Sequence, residues 1–407
     1  MRTDVAVIGA GQAGLATSRN LADRSIDHVV LERGQVANSW RTERWDSLRL
    51  LTPNWLSRLP GWTYDGSDPD GFMSKDDFVD HLERYRRSFG APVQTETAVE
   101  SVQKTSGGFR LRTSQGEIDA RAIVIASGAN STPRIPAIAG DLPPCVRQLQ
   151  AMHYRNVDQI EDGGVLVVGA SASGAQIADE LARAGRDVTM AVGNHTRIPR
   201  RYRGQDTFAW LERSGILDDP WVDEPDIAKS RRAPSLQLVG TDDARDLDLN
   251  ALTAVGVRLV GRLVGTSGTN LQFSGSLANA IASADQRMHR LLTRIDRAAD
   301  RAEVDVPEDR PPPTLLPAPC LHGNHSEFST IIWATGFRPN YPWLSRHLLD
   351  RRGAIVHDGG VMKDPGMFVL GLPFLRRRKS GFIAGAGCDA TELMQPLQAH
   401  LETTHEL

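Results

Sequence analysis

The chain is poor in cysteine. Only Cys145, Cys320 and Cys388 occur among 407 residues, far apart and never as Cys-x-x-Cys. That scarcity excludes a zinc ribbon and a dithiol redox motif, and it suits a reducing compartment. Positive charge is not in excess, with 47 Lys and Arg against 50 Asp and Glu and a formal net charge of −3. A nucleic-acid surface is therefore not expected. No apolar run reaches the roughly 18 residues of a spanning helix. Met1-Arg2-Thr3-Asp4 runs straight into a strand-like segment, with no signal peptide in front of it. The expectations are a cytoplasmic protein with no membrane or nucleic-acid partner and no metal site. The basic cluster Arg376-Arg377-Arg378-Lys379 is read as a solvated loop rather than an anion site. Aromatic residues make up 6% of the chain, yet Trp40, Trp45, Trp55 and Trp62 crowd into one early stretch.

What the chain does contain is glycine in a particular order. Asp4-Val5-Ala6-Val7-Ile8 reads as a strand, Gly9-Ala10-Gly11-Gln12-Ala13-Gly14 as a turn, and Leu15 to Ala22 as a helix. The next strand, His28-Val29-Val30-Leu31, ends on Glu32, followed by Arg33. Each glycine has its own task. Gly9 makes the tight turn, Gly11 admits a pyrophosphate close to the backbone, and Gly14 lets helix pack on strand. The helix N-terminus offers unpaired N–H groups, and Glu32 stands where an acid accepts hydrogen bonds from a ribose diol.

The pattern returns once. Val165-Leu166-Val167-Val168 leads into Gly169-Ala170-Ser171-Ala172-Ser173-Gly174, then a helix to Arg183 and a strand over Asp187 to Val192. Ser171 replaces the middle glycine, and no acid ends the second strand. Arg197 and Arg200 follow instead, which favours a 2′-phosphate and hence NADP over NAD, unless the stretch is only a basic surface loop. One cofactor for each unit gives FAD in the first and NADPH in the second.

Ala122 to Gly128, with Ala126 and Gly128 at its end, and Thr330 to Gly336, with Ala334, Thr335 and Gly336, are matching strand-and-turn segments. Proline follows each within a few residues, as where chains leave a sheet. The fold class is α/β, with two Rossmann-like dinucleotide-binding domains. The NADP domain is inserted into a discontinuous FAD domain. The expected spans are 1–159 and 326–407 for FAD and 160–325 for NADP. Apolar spacing over 276–303 predicts one or two core-packing helices, and Val306 to Pro313 a proline-rich linker.

Three further stretches, Ser39-Trp40-Arg41 through Leu50, Thr52-Pro53-Asn54-Trp55 and Trp333 through Pro339, complete a set that resembles class B flavin-dependent monooxygenases. That family includes the flavin-containing monooxygenases, the YUCCA enzymes and the CzcO-like bacterial flavoproteins. The resemblance implies an NADPH- and O2-dependent oxygenation of a small organic substrate through a C4a-(hydro)peroxyflavin, and a homodimer. The alternative is a flavoprotein reductase or oxidase without oxygen insertion. It places Trp40, Arg41, Trp45, Thr52 and Asn54 near the flavin, with Asn54 as a catalytic donor or else a turn residue after Pro53. Asp389 resembles a C-terminal residue beside the flavin, or else caps a helix start. The early tryptophans line a dry pocket or pack a core. The fingerprint of Baeyer–Villiger enzymes is degraded before His153, which weakens that assignment.

Overall fold

The computed structural model describes residues 1–129, 132–302 and 309–405. Of the linker expected between Val306 and Pro313, 306–308 lie outside the described residues, and 309–313 are described without helix or strand. Strand β1 (Arg2–Ile8) feeds α1 (Gln12–Ala22) and β2 (His28–Leu31). Val5, Ala6 and Val7 are fully buried, so β1 lies inside a sheet covered on both faces. A short helix α2 (Asn38–Thr42) precedes α3 (Lys75–Ser88), which starts on a reciprocal Ser74–Asp77 capping box. Strands β3 (Val93–Gln94), β4 (Val99–Thr105), β5 (Gly108–Thr113) and β6 (Gly116–Ile125) follow. β6, β1, β2 and β3 are successive parallel neighbours, while β5 runs antiparallel to the start of β6.

The chain leaves this sheet through β7 (Thr132–Pro133). The second unit begins with β8 (Arg147–Gln150), β9 (Gly164–Val168), α4 (Ala172–Arg183) and β10 (Val188–Ala191). A hairpin of β11 (Arg201–Tyr202) and β12 (Gln205–Asp206) leads to α5 (Thr207–Arg213), α6 (Ile227–Ser230) and α7 (Leu249–Ala254). Then come β13 (Arg258–Val260), β14 (Leu263–Ser267), β15 (Asn270–Phe273), α8 (Leu277–Arg301), β16 (His322–Asn324) and β17 (Phe328–Trp333). The second sheet is wholly parallel, in the order β13-β10-β9-β17-β8. The segment over 276–303 forms one helix, α8, with Leu277, Ile281, Met288, Leu292 and Ile295 buried. β18 (Phe337–Arg338) then pairs antiparallel with β7, so the outgoing and returning chains touch. β19 (His357–Asp358), β20 (Val361–Met362) and β21 (Met367–Val369) extend the first sheet, with β21 parallel to β6, and α9 (Ile383–His405) lies on α1.

This topology moves the expected boundaries of 160–325. The second sheet takes in β8 and β17, and the crossing ribbon lies at 132–133 and 337–338. Thr330 to Trp333 is a strand as expected, but of the second sheet, where it pairs with β9 and β8. β8, Arg147-Gln148-Leu149-Gln150, is an edge strand with one buried residue and carries no apolar run to betray it. An apolar strand such as β17 shows that it is buried, not in which sheet.

His357, on the outer strand β19, is held uncharged by this packing. Burial, and Arg231 nearby, push its imidazole down to about 4, and Nδ1 accepts the Gly360 N–H at 3.3 Å. A histidine whose folded pKa lies below its unfolded value of about 6.5 contributes stability that is complete above that value and fades as pH falls through the folded one. Burial also lowers His28, His81 and His195. The unfolding free energy, followed by urea titration, should therefore fall between about pH 6.5 and pH 4. His357→Gln should remove roughly 2–3 kcal/mol of that pH-dependent loss.

Candidate functional site

The two glycine turns stand between strand and helix in each sheet and share their packing in detail. A Cβ on Gly9 (φ +110°) would lie 2.6 Å from the Ala126 carbonyl oxygen, and one on Gly14 would lie 1.8 Å from the Gly9 oxygen. In the second turn, a Cβ on Gly169 (φ +115°) would meet the Ala334 oxygen at 2.3 Å, and one on Gly174 the Gly169 oxygen at 2.0 Å. Ala126 and Ala334 thus serve as equivalent neighbours, and Gly128 and Gly336 follow with φ of +78° and +82°. Gly11 differs from Gly9 and Gly14 because a Cβ there meets nothing within 4 Å. Its side faces open space.

Gly11 is the N-cap of α1 and Ser171 that of α4, and neither helix has a side-chain cap. Uncapped first-turn amides at Gln12, Ala13 and Gly14, and at Ser173 and Gly174, leave donors and the positive end of a dipole for an anion. Glu32 is 7% exposed, and its two carboxylate oxygens accept from Ala10 N–H at 2.8 Å and Gly34 N–H at 3.1 Å. Its carboxylate therefore lies beside the first turn. Trp40 Nε1–H reaches Gln12 Oε1 at 3.5 Å, and the Ala37 N–H donates to Ala10 O at 3.1 Å. These contacts bring the 33–43 segment onto the same turn. Arg33 pairs with Glu43 and Arg41 with Glu83. The residues present fit a dinucleotide at the first turn, through open backbone approach, free helix amides and a flanking carboxylate. The second turn shares the uncapped helix amides, carries Ser171 where the first has Gly11, and has no acid.

Several expected site residues lie elsewhere. Arg197 is 2% exposed and committed: it reaches Asp248 at 2.6 Å, Asp285 at 2.8 Å and the Pro312 carbonyl at 2.8 Å. Arg200 is fully buried between the Phe72 and Phe208 rings, paired with Asp206 at 2.6 Å and donating to Leu51 O at 2.7 Å. Neither guanidinium is available to a 2′-phosphate. Both tie the chain after β10 to distant segments, because a buried arginine must be paired.

Asn54 is also structural. Its Nδ2–H donates to Asp68 O at 2.9 Å, and its Oδ1 accepts from Met73 N–H at 2.7 Å, which staples the 68–73 loop. Thr52 is buried next to it in sequence, 7% exposed. Trp45 belongs to the apolar cluster under the second sheet with Leu149 and Tyr154, while Trp40 packs edge-on against Phe78 at 4.8 Å. Trp62 lies beside His81 and Tyr85. The early tryptophans thus serve several packing sites, not one pocket.

Asp389 is fully buried inside α9, past its first turn, so it caps no helix start. Its Oδ1 pairs with Arg377 Nε at 3.1 Å. Burial pushes its carboxyl up, against the pull of Ser380 and Arg377. The basic run that holds it is not a solvated loop. Lys379, 8% exposed at its side chain, bonds Asp218 at 2.9 Å. Arg378 pairs with Asp219 at 3.2 Å, and Arg377 with Asp218 at 3.4 Å and with Glu392. The Trp221 N–H donates to Arg376 O at 3.0 Å. The run is a clamp between the returning chain of the first sheet and the 212–224 segment of the second unit.

Two features near the cradles have no motif in the sequence. Gln237, fully buried, donates Nε2–H to Ala170 O at 2.7 Å and so lays its loop across the second turn. Gly371 (φ +76°) stands so close to α1 that a Cβ there would lie 2.9 Å from that of Ala13. Among the described residues no helix is long and apolar enough to cross a membrane, and no cluster of His, Cys, Asp or Glu could hold a metal.

Residues 6–211 match the family described as pyridine nucleotide-disulphide oxidoreductase. A protein of Geobacillus kaustophilus named as an uncharacterized CzcO-like oxidoreductase is 31% identical over 98% of this chain and 99% of its own length. The indole-3-pyruvate monooxygenase YUCCA1 of Oryza sativa subsp. japonica is 33% identical over 50% of this chain and 51% of its own. Among solved structures, a flavin-containing monooxygenase from Stenotrophomonas maltophilia shares the fold, with a TM-score of 0.69 at 21% identity and coverage of 98% and 99%. Two sheets built on parallel strands, two glycine-rich turns before uncapped helices and this kinship lead to one conclusion: the chain belongs to the pyridine nucleotide-disulphide oxidoreductase family, as a flavoprotein oxidoreductase of the flavin monooxygenase superfamily, with a flavin and a nicotinamide nucleotide as its cofactors.

Proposed function

We propose that this protein is an NADPH- and O2-dependent flavin monooxygenase of a small organic substrate, with FAD at the first cradle and NADPH at the second. The observation that carries the reading is the pair of uncapped helix N-termini after glycine-rich turns in one chain that has no cysteine pair to receive electrons. The three cysteines are free, Cys145 exposed and the others half-buried, which disfavours a dithiol-using reductase. When bound, the flavin supplies hydride acceptance and oxygen activation. The protein's share is binding and orientation. The α1 amides hold one pyrophosphate and Glu32 takes ribose hydroxyls, while the α4 amides hold the other pyrophosphate. The clamp at 376–379 keeps the two units in fixed relation. The protein acts in the cytoplasm, on its own or as a homodimer, without nucleic-acid or membrane partners.

Rapid mixing with NADPH under anaerobic conditions should bleach the flavin. Readmitting isotopically labelled O2 with a substrate panel should place one labelled atom in product. The panel should include amines, thioethers and a 2-oxo acid such as indole-3-pyruvate, on which the rice relative acts. Bleaching followed by stoichiometric hydrogen peroxide and no labelled product would assign the protein to the reductase or oxidase class instead.

A further inference from the structure

Strands β10 and β13 run parallel and in register, with Ala191 opposite Val260. Gly193 and Arg262, each two residues further on, therefore leave the sheet as neighbours. The contact is direct. A Cβ on Gly193 would lie 3.5 Å from Arg262 Nε and 3.7 Å from Nη2, so the guanidinium lies across the bare glycine at the C-terminal end of β10. In a Rossmann unit this strand end receives the adenosine ribose, and a carboxylate there marks NAD. Here the positions are Val192, Gly193 and Asn194, with no carboxylate. Arg262 is exposed, and its side chain has no ion pair or hydrogen bond with a described residue. Its neighbours on the same edge are engaged: Arg258 with Glu327 at 3.1 Å, and Arg197 and Arg200 in buried pairs.

We propose that Arg262 recognises the adenosine 2′-phosphate and sets the NADP preference of the second cradle. The determinant then comes from the adjacent strand rather than from the loop after β10. A guanidinium suits the task because its planar fork can give two parallel hydrogen bonds to one phosphate and stays charged at any working pH. The absent side chain at Gly193 leaves that fork uncovered. The inference rests on the second turn being the nicotinamide-nucleotide cradle.

The test is calorimetric titration of the flavin-loaded protein with NADP+, NAD+, 2′,5′-ADP and 5′-AMP. The same titrations are run on Arg262→Gln and on Gly193→Glu, which sets a carboxylate against the guanidinium. The wild type should bind NADP+ at least about 10-fold more tightly than NAD+. Arg262→Gln should weaken NADP+ and 2′,5′-ADP by roughly 10–100-fold, as expected for loss of charge-assisted hydrogen bonds. NAD+ and 5′-AMP should stay within about twofold, and the thermal midpoint should be unchanged. Gly193→Glu should lower NADP+ affinity alone. Arg262→Gln leaving NADP+ within twofold, or weakening both dinucleotides equally, would overturn the assignment of Arg262 while leaving the cradle intact. A wild type that binds neither dinucleotide would overturn the cradle itself, and with it the inference.

Discussion

Gly14→Ala is expected to cost about 3 kcal/mol or more and to yield little folded protein, whereas Gly11→Asp should fold normally and lose its flavin. The contrast follows from what surrounds each glycine. A Cβ at Gly14 would sit 1.8 Å from the Gly9 carbonyl oxygen and 2.9 Å from its carbon, both backbone atoms that no side-chain rotation can move. The overpacking therefore has to be relieved by separating α1 from β1, at the centre of the first core. Gly11 has ordinary extended backbone at φ −84° and nothing within 4 Å of its missing side chain. An aspartate there even resembles a helix cap, which is neutral or favourable for α1. Its negative charge, however, occupies the place a pyrophosphate needs. Urea unfolding of both apoproteins and the flavin absorbance of the purified proteins check the pair. Equal stability losses at the two positions would contradict the division of labour within the turn.

The second large effect is expected at the clamp. Arg377→Met should destabilise the protein by about 3–5 kcal/mol at neutral pH, because it leaves Asp389 buried without its partner. Arg377 also spans to Asp218 in the second unit and to Glu392 on α9, so its loss slackens the junction of the two sheets. The pH dependence has a definite sign. A carboxyl whose folded pKa is raised carries no penalty below its unfolded value of about 3.9, and the penalty grows as pH rises towards the folded value. Burial already raises Asp389, and removing Arg377 raises it further. The deficit of the variant relative to wild type should therefore shrink as pH falls, measured at each pH so that the histidine effect cancels. Adding Asp389→Asn to Arg377→Met should restore part of the stability at neutral pH, since it removes the orphaned charge. A double variant no better than the single would show that Arg377 acts through its other contacts.

The local motifs were legible without coordinates because everything that defines them is close in sequence. β1, the Gly9–Gly14 turn, α1 and Glu32 form one continuous stretch, and the same holds for β9, the Gly169–Gly174 turn and α4. Steric need at the turn and charge at a helix N-terminus act over a few residues, so residue type and spacing suffice. Arginine is different, because its identity says that it wants an anion and not which one. Arg197 and Arg200 find Asp248, Asp285 and Asp206, and Arg377 to Lys379 find Asp218, Asp219 and Asp389. Those partners come from up to 161 residues away.

The sequence by itself determined two dinucleotide-binding units of α/β type and the positions of their phosphate turns. Tertiary structure decided where the two sheets divide the chain, since β8 has no apolar run and β17 does not declare its sheet. It decided that Asn54 staples a loop. It also decided which arginine lies over the C-terminal end of β10 with no side-chain ion pair or hydrogen bond to a described residue. Arg262 lies 88 positions beyond Gly174 in the chain, and only the in-register pairing of β10 with β13 brings it over Gly193. Strand pairing joins residues without regard to their separation along the chain, and a motif cannot record that.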